Sequence, residues 1–251
     1  MDSITFLGTG GGRFVLLTQK RYSGGIWLEL GGVRVVVDPG PGSLVRALEF
    51  KFDPGTLDAV FSSHMHLDHY NDVEVMVEAM THGLGRKKGL LVLQKDVVEY
   101  ISEYHRKSVE TITPEPGELF HVKGLSVRAL PTLRHADSLG FRFNTSSGAV
   151  TYSGDTAYGK EVVEGYAGSR ILILNTIFPS GSRARTHLCT DDAVEIAGEV
   201  RPELLVITHF GVRMLGRDPE REAERISGET GVRTVAARDG MRINVGTLGH
   251  D

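Results

Sequence analysis

Residues 57–69, Leu57-Asp58-Ala59-Val60-Phe61-Ser62-Ser63-His64-Met65-His66-Leu67-Asp68-His69, run from an apolar stretch straight into four potential metal ligands within six positions. The stretch Leu57–Phe61 reads as a buried strand that ends at Ser62-Ser63. Imidazole and carboxylate are the nitrogen and oxygen donors that Zn²⁺ accepts at about 2.0–2.2 Å. A turn at the end of a strand can aim alternate side chains at one point. His64 and His66 could then hold one metal while Asp68 and His69 face a second. Beyond the motif, Val73, Met76, Val77, Met80 and Leu84 recur at helical spacing, which predicts a helix just after His69.

Four ligands do not complete two metal sites, so others must come from distant parts of the chain. Three candidates stand where an apolar strand enters a loop: His135, Asp155 in Tyr152-Ser153-Gly154-Asp155-Thr156, and His209 in Ile207-Thr208-His209-Phe210. Each repeats one design, a buried strand ending in a polar residue that has little other reason to be there. A shared carboxylate such as Asp155 can bridge two cations and offset their repulsion. A lone histidine after a strand is ordinarily a surface or hydrogen-bonded residue; four ligands in six positions with three strand-end partners are not. His82, His105, His121 and His250 have no clustered partners and read as structural or solvated.

The remaining composition narrows the field. A chain of 251 residues with 40% hydrophobic and 24% charged residues fits a globular α/β protein, expected to be a single domain over 1–251. Its net charge of −4 gives no overall attraction to nucleic acid or anionic membrane. No apolar stretch reaches the roughly 18–20 residues that span a bilayer. The opening Met1–Phe6 lacks the features of a signal peptide. Cys189 is the only cysteine, so neither an intrachain disulfide nor a thiolate zinc cluster is available. A cytoplasmic protein is the expectation.

Short apolar runs alternate with amphipathic segments. Strands are predicted near 4–7, 25–30, 33–37, 57–61, 90–94, 125–130, 139–143, 149–153, 171–174, 204–208 and 241–245. Helices are predicted over 43–50, 96–103, 160–166, 193–200 and 219–230, with Asp191 and Asp192 placed favourably at the positive end of one helix dipole. Strand-rich halves that each carry helices predict two sheets face to face with helices outside. The cluster Gly8-Thr9-Gly10-Gly11-Gly12-Arg13 is not a dinucleotide fingerprint, because Arg13 stands where the third glycine belongs; a P-loop, a Gly-x-Ser-x-Gly elbow and a His-Glu-x-x-His helix are absent. The glycines instead suit a backbone that passes close to the metals.

At these residues the chain resembles the metallo-β-lactamase fold superfamily. The match runs in order through Phe6-Leu7-Gly8-Thr9-Gly10, Val37-Asp38-Pro39-Gly40, the His64–His69 motif, His135, Ser153-Gly154-Asp155-Thr156, Thr208-His209-Phe210 and Asp239-Gly240-Met241. The resemblance implies an α/β fold, a four-layer αββα sandwich with its site at one edge. It also implies a ligand set: His64, His66 and His135 on one metal, Asp68, His69 and His209 on the other, Asp155 between them. Two Zn²⁺ are the expected cofactors, with Mn²⁺ or Fe as alternatives.

Within the superfamily the chain is most similar to the ribonuclease Z-like branch. The Gly-Thr-Gly opening, His135 followed by Ser138-Leu139-Gly140-Phe141, and Thr186-His187-Leu188-Cys189-Thr190 carry that likeness. It implies a metal-dependent hydrolase, in the first place a phosphodiesterase that uses a metal-bridging hydroxide. Asp68 is expected to orient the nucleophile and His187 to protonate the leaving oxygen. The substrate would be a phosphodiester, RNA or a cyclic nucleotide, and homodimers are common in this branch. Two departures bear on the substrate. Leu174-Asn175-Thr176-Ile177 replaces the branch's His-Glu-Ala-Thr, which removes the glutamate that would orient His187; the long tRNA-gripping insertion is also missing between Asp155 and His187. Phosphate contacts could come from the loop residues Arg13, Arg183 and Arg185, whose guanidinium forks suit phosphate oxygens.

Three other readings are available. An acyl-ester, thioester or lactone hydrolase would use the same ligands. A diiron oxidoreductase of this fold would carry a glutamate at the position of His66 and a flavin domain. A non-enzymatic binding module would be expected to have lost ligands.

Overall fold

Strand β1 (Ser3–Phe6) pairs antiparallel with β2 (Ile26–Leu30), which returns through Gly31-Gly32 into β3 (Val33–Val37). From β3 onward the sheet turns parallel through β4 (Ala59–Ser62), β5 (Leu90–Leu93) and β6 (Glu110–Ile112). The computed structural model describes residues 2–135, 137–182 and 185–251, so Arg183 lies outside the described residues. A second sheet contains β7 (Leu119–Val122), β8 (Leu125–Pro131), β9 (Leu139–Thr145), β10 (Gly148–Tyr152), β11 (Ser169–Phe178), β13 (Leu204–Thr208) and β14 (Thr234–Ala236), with the short β12 (Leu188–Cys189) paired to the far end of β11. Strand β15 (Arg242–Asn244) crosses back to pair with β1 at the edge of the first sheet.

Alternation along these strands builds three layers of apolar contact. Phe6, Val35, Val37 and Phe61 of the first sheet meet Val127, Phe141, Phe143 and Ile171 of the second in the central core. The opposite face of the first sheet, with Trp27, Val36, Val60 and Leu91, is covered by α2 (Ser43–Glu49) and α4 (Val73–Met80). The outer face of the second sheet, with Leu172, Leu174, Leu205 and Ile207, is covered by α6 (Lys160–Gly165), α7 (Thr190–Val200) and α9 (Pro219–Thr230). The result is the four-layer αββα sandwich that the sequence led us to expect. Among the described residues, no helix is long and apolar enough to cross a membrane.

Where expectation and structure differ, local chemistry explains it. The helix expected over 96–103 is a 3₁₀ turn over Lys95–Tyr100 followed by α5 (Glu103–Arg106). Ser102 breaks it: its N–H is donated to Glu74 Oε1 at 2.6 Å and its hydroxyl caps the next turn by accepting from His105 N. The helix α4 stops at Met80 and leaves Leu84 outside it, with Thr81 Oγ1 accepting the N–H of Leu84. The glycine cluster leads into a short helix, α1 (Arg13–Thr18), that no periodicity announced.

Every segment named as a ligand source leaves its strand at the same edge of the sandwich. β4 feeds the His64–His69 motif, β8 feeds His135, β10 feeds Asp155 and β13 feeds His209. The sheets therefore act as two combs whose ends converge, and the site forms where they meet.

Candidate metal centre

The motif after β4 is held by its own strand end. Ser62 Oγ donates to the carbonyl of His64 at 3.2 Å and to that of His69 at 3.4 Å, folding the six residues back on themselves. His66 stands in extended backbone and opens the turn α3 (Leu67–Tyr70), which puts Asp68 and His69 on its inner side, both buried. Across the cleft, Gly154 adopts φ 61 and lies against the carbonyl of Leu139, so β10 can turn sharply into Asp155. His209 and Asp38 also have left-handed backbone, φ 61 and φ 50. Such conformations cost about 1–3 kcal/mol each in a non-glycine residue and gather at functional sites.

The seven residues named from the sequence come together. His64 Nε2 lies 3.0 Å from His66 Nδ1, and His135 Nε2 lies 3.2 Å from both. Beside them, Asp68 Oδ2 is 3.9 Å from His69 Nε2 and 3.7 Å from His209 Nε2. Asp155 Oδ2 sits between the two groups, 3.5 Å from His135 Nε2, 3.5 Å from His69 Nε2 and 3.3 Å from His209 Nε2. His187 joins them: its Nε2 is 3.4 Å from Asp155 Oδ2, and its side chain is 22% exposed at the mouth. Arg13 and Arg185 are exposed on the surface.

Hydrogen bonding at the far side of each ring decides what the near side offers. Asp38, buried at the end of β3, accepts from Ser63 N, Ser63 Oγ, Tyr152 Oη and His69 Nδ1 at 2.6–2.8 Å. His135 Nδ1 donates to the carbonyl of Thr186 at 3.2 Å. Asp68 Oδ2 accepts the N–H of Gly12 at 2.8 Å. With each Nδ1–H donated to its partner, Nε2 is the atom that the neutral rings of His69 and His135 would offer inward. His69 Nε2 and His209 Nε2 are both buried and lack a hydrogen-bond partner. A buried polar atom without a partner costs about 1–3 kcal/mol. A divalent cation would give both nitrogens a partner, and the donor set, nitrogen and carboxylate oxygen without sulfur, suits zinc. The residues fit a metal centre.

Electrostatics agree with that fit. Burial holds His64 well below its usual pKa, with the neighbouring His69 adding to it. Burial also pushes His135 down to about 4 and lowers His66. Burial would raise Asp155, but His209 and His69 beside it hold its carboxyl well below the ordinary range. Burial likewise opposes a charge on His69, yet Asp155, Asp38 and Asp68 hold its pKa well above normal. Without a cation, a proton on His69 balances the carboxylates.

This predicts a pH signature for the metal-free protein. In the unfolded chain His64, His66 and His135 take up protons near pH 6.5, while the folded chain resists until lower pH. Stability therefore falls as pH drops from about 6.5 to 4, by about 2–3 kcal/mol from His135 alone. His69 does not oppose this: with its folded pKa raised, its stabilising contribution is already complete below pH 6.5. Urea denaturation of chelator-treated protein across this range measures the slope, and a flat profile would contradict it.

The sequence did not announce the roles of Ser63, Tyr152 and Asn175. Asn175 Nδ2 donates to Tyr152 Oη at 2.9 Å and to Asp155 Oδ1 at 2.7 Å. Asp38 stood in the matched pattern at the end of a buried strand, the one available hint that it has a task there. The glycine loop is likewise part of the site. Asp239 accepts from Thr9 N, Thr9 Oγ1 and Tyr22 N, and Gly11 N donates to the carbonyl of Phe210 at 3.0 Å, which fixes the loop against His209.

An αββα sandwich with histidines and aspartates converging at one edge defines the class of metallo-β-lactamase fold hydrolases. The chain belongs to the β-lactamase superfamily: the family model for the beta-lactamase superfamily domain matches residues 33–210. An uncharacterised protein of Methanocaldococcus jannaschii is 37% identical, over 96% of this chain and 94% of its own length. Ribonuclease Z of Methanopyrus kandleri is 27% identical over 96% of each chain. In fold, the chain is similar to the metallo-β-lactamase fold protein YhfI of Bacillus subtilis, with a TM-score of 0.81 at 19% identity over 96% of this chain and 98% of that one.

Proposed function

We propose that residues 1–251 form one binuclear metal-dependent hydrolase domain that cleaves phosphodiesters, with zinc as its metal. His64, His66 and His135 would hold one cation, Asp68, His69 and His209 the other, and Asp155 would lie between them. The observation that carries this is the convergence of imidazole nitrogens on Asp155 Oδ2, with His69 Nε2 and His209 Nε2 left without hydrogen-bond partners. Two cations bound there would supply a hydroxide nucleophile at neutral pH and neutralise charge on the non-bridging oxygens.

The chain's own residues do the rest. Asp38 and Thr186 hold the His69 and His135 rings at Nδ1 so that their Nε2 atoms face inward. Gly12 N–H holds Asp68, leaving this carboxylate to orient the nucleophile. His187 is half-buried at the mouth, where it would meet substrate entering from solvent. It would give its proton to the departing oxygen. The Phe178 ring stands edge-on to it, with centroids 6.2 Å apart.

The ribonuclease Z relatives favour phosphorus over acyl carbon as the centre attacked. A small substrate, a cyclic nucleotide or short RNA, suits the segment between Asp155 and His187. Its described residues are taken up by α6, β11 and a short loop, with no gripping arm. A panel of bis-p-nitrophenyl phosphate, 2′,3′-cyclic nucleotides, short RNA and p-nitrophenyl acetate, with and without chelator, tests this. Chelator-sensitive phosphodiester turnover is expected; acyl turnover in its place would establish the acyl hydrolase reading. His187→Ala should lower kcat on the phosphodiester by about 10²–10⁴-fold at unchanged metal content. An unchanged kcat would remove His187 from the mechanism.

A further inference from the structure

Position 175 is where the ribonuclease Z-like pattern places a glutamate that orients the catalytic histidine. Here it is asparagine, and its side chain does something else. Asn175 lies on β11 at 3% exposure. Its N–H is donated to Ser153 Oγ at 3.0 Å, and its Nδ2 reaches Tyr152 Oη at 2.9 Å and Asp155 Oδ1 at 2.7 Å. His187 instead has its Nδ1 against Thr186 Oγ1 at 2.9 Å.

Chemistry fixes which way the amide points. Tyr152 Oη has one proton and spends it on Asp38 Oδ2 at 2.6 Å, so its lone pair must accept from Asn175. Asp155 is ionised and can only accept. Both contacts therefore require the NH₂ end of the amide. The bonds link into a buried chain: His69 to Asp38, Asp38 to Tyr152, Tyr152 to Asn175, Asn175 to Asp155. It joins two inward-facing residues from opposite sheets beneath the site.

We infer that Asn175 is a positioning residue that ties up Asp155 Oδ1 with a neutral donor, so that only Oδ2 is presented to the metals. Asp155 Oδ2 does face the Nε2 atoms of His69, His135, His187 and His209, at 3.3–3.5 Å. A carboxylate at 175 would set two like charges within hydrogen-bond distance in a buried place, where only one can stay ionised. The amide avoids that conflict and leaves Asp155 its charge. The inference rests on the metal-centre reading above.

The test is metal affinity and geometry in Asn175→Leu, which keeps the volume and removes the donor. Zinc affinity is read by competition with a chromophoric chelator, and ligand geometry by the visible spectrum of the cobalt-loaded protein. Affinity should weaken about 10–100-fold, the usual effect of losing an outer hydrogen bond to a metal ligand, with a changed cobalt spectrum. Should Asn175→Leu not fold, Asn175→Ala serves the same test. Wild-type affinity and spectrum in the folded variant would overturn the inference alone. A wild-type chain that takes up no cobalt or zinc would overturn the metal-centre reading and this inference with it.

Discussion

Asp155→Asn should abolish most phosphodiester turnover, by about 10³-fold or more, and strip the protein of at least one cation. Asp155 Oδ2 is the atom on which the two ligand groups meet, within 3.3–3.5 Å of nitrogens from His69, His135 and His209. The substitution keeps size and shape but removes the charge that would lie between the two proposed cations. It also leaves Asn175 facing an amide in place of a carboxylate. Two-metal sites stabilise developing charge by several kcal/mol, and each 1.4 kcal/mol is a factor of ten in rate. Metal content and kcat measured on one preparation check the prediction; a variant that keeps two cations and wild-type kcat would contradict it.

Gly11→Ala should be nearly as damaging, although Gly11 has no side chain to contribute. A Cβ at this position would lie 2.6 Å from His209 Nε2 and 2.5 Å from its Cγ. The ring cannot retreat easily, because His209 sits in strained backbone and Phe210 N donates to the carbonyl of Thr9 at 2.8 Å. Either the glycine loop or the ring must shift. We expect a stability loss of about 1–3 kcal/mol, as for overpacking elsewhere, together with loss of the cation that His209 would hold. Gly198→Ala is the control: it lies within α7, where an added Cβ meets nothing within 4 Å, and it should leave metal content unchanged while stabilising the helix by about 0.5–1 kcal/mol. Thermal melts and metal analysis of the two variants decide the matter.

The parts of the molecule legible in the sequence are those in which one local rule acts alone. The His64–His69 motif is legible because its four candidate ligands lie within one turn of chain. His135, Asp155 and His209 are legible because each ends an apolar run. The faces of α4 and α7 follow from helical spacing, and Met76, Ile196 and their neighbours are buried as expected. Hidden from it are the partners that meet only after folding. Tyr152 reads as an ordinary strand residue and Asn175 only as the loss of a glutamate, and their hydrogen bonds to Asp38 and Asp155 cross from one sheet to the other or between neighbouring strands. The break at Ser102 is of the same kind, because Glu74, the side chain that accepts its N–H, belongs to α4. Short edge strands such as β6 and β14 carry three residues each, too few for a period to show.

Anomalous diffraction from crystals of the zinc-loaded protein at the zinc edge would locate the cations themselves. Two peaks are expected, one among His64, His66 and His135 and one among Asp68, His69 and His209, both within bonding distance of Asp155. Zinc bound elsewhere, with the space between these side chains empty, would contradict the metal-centre reading.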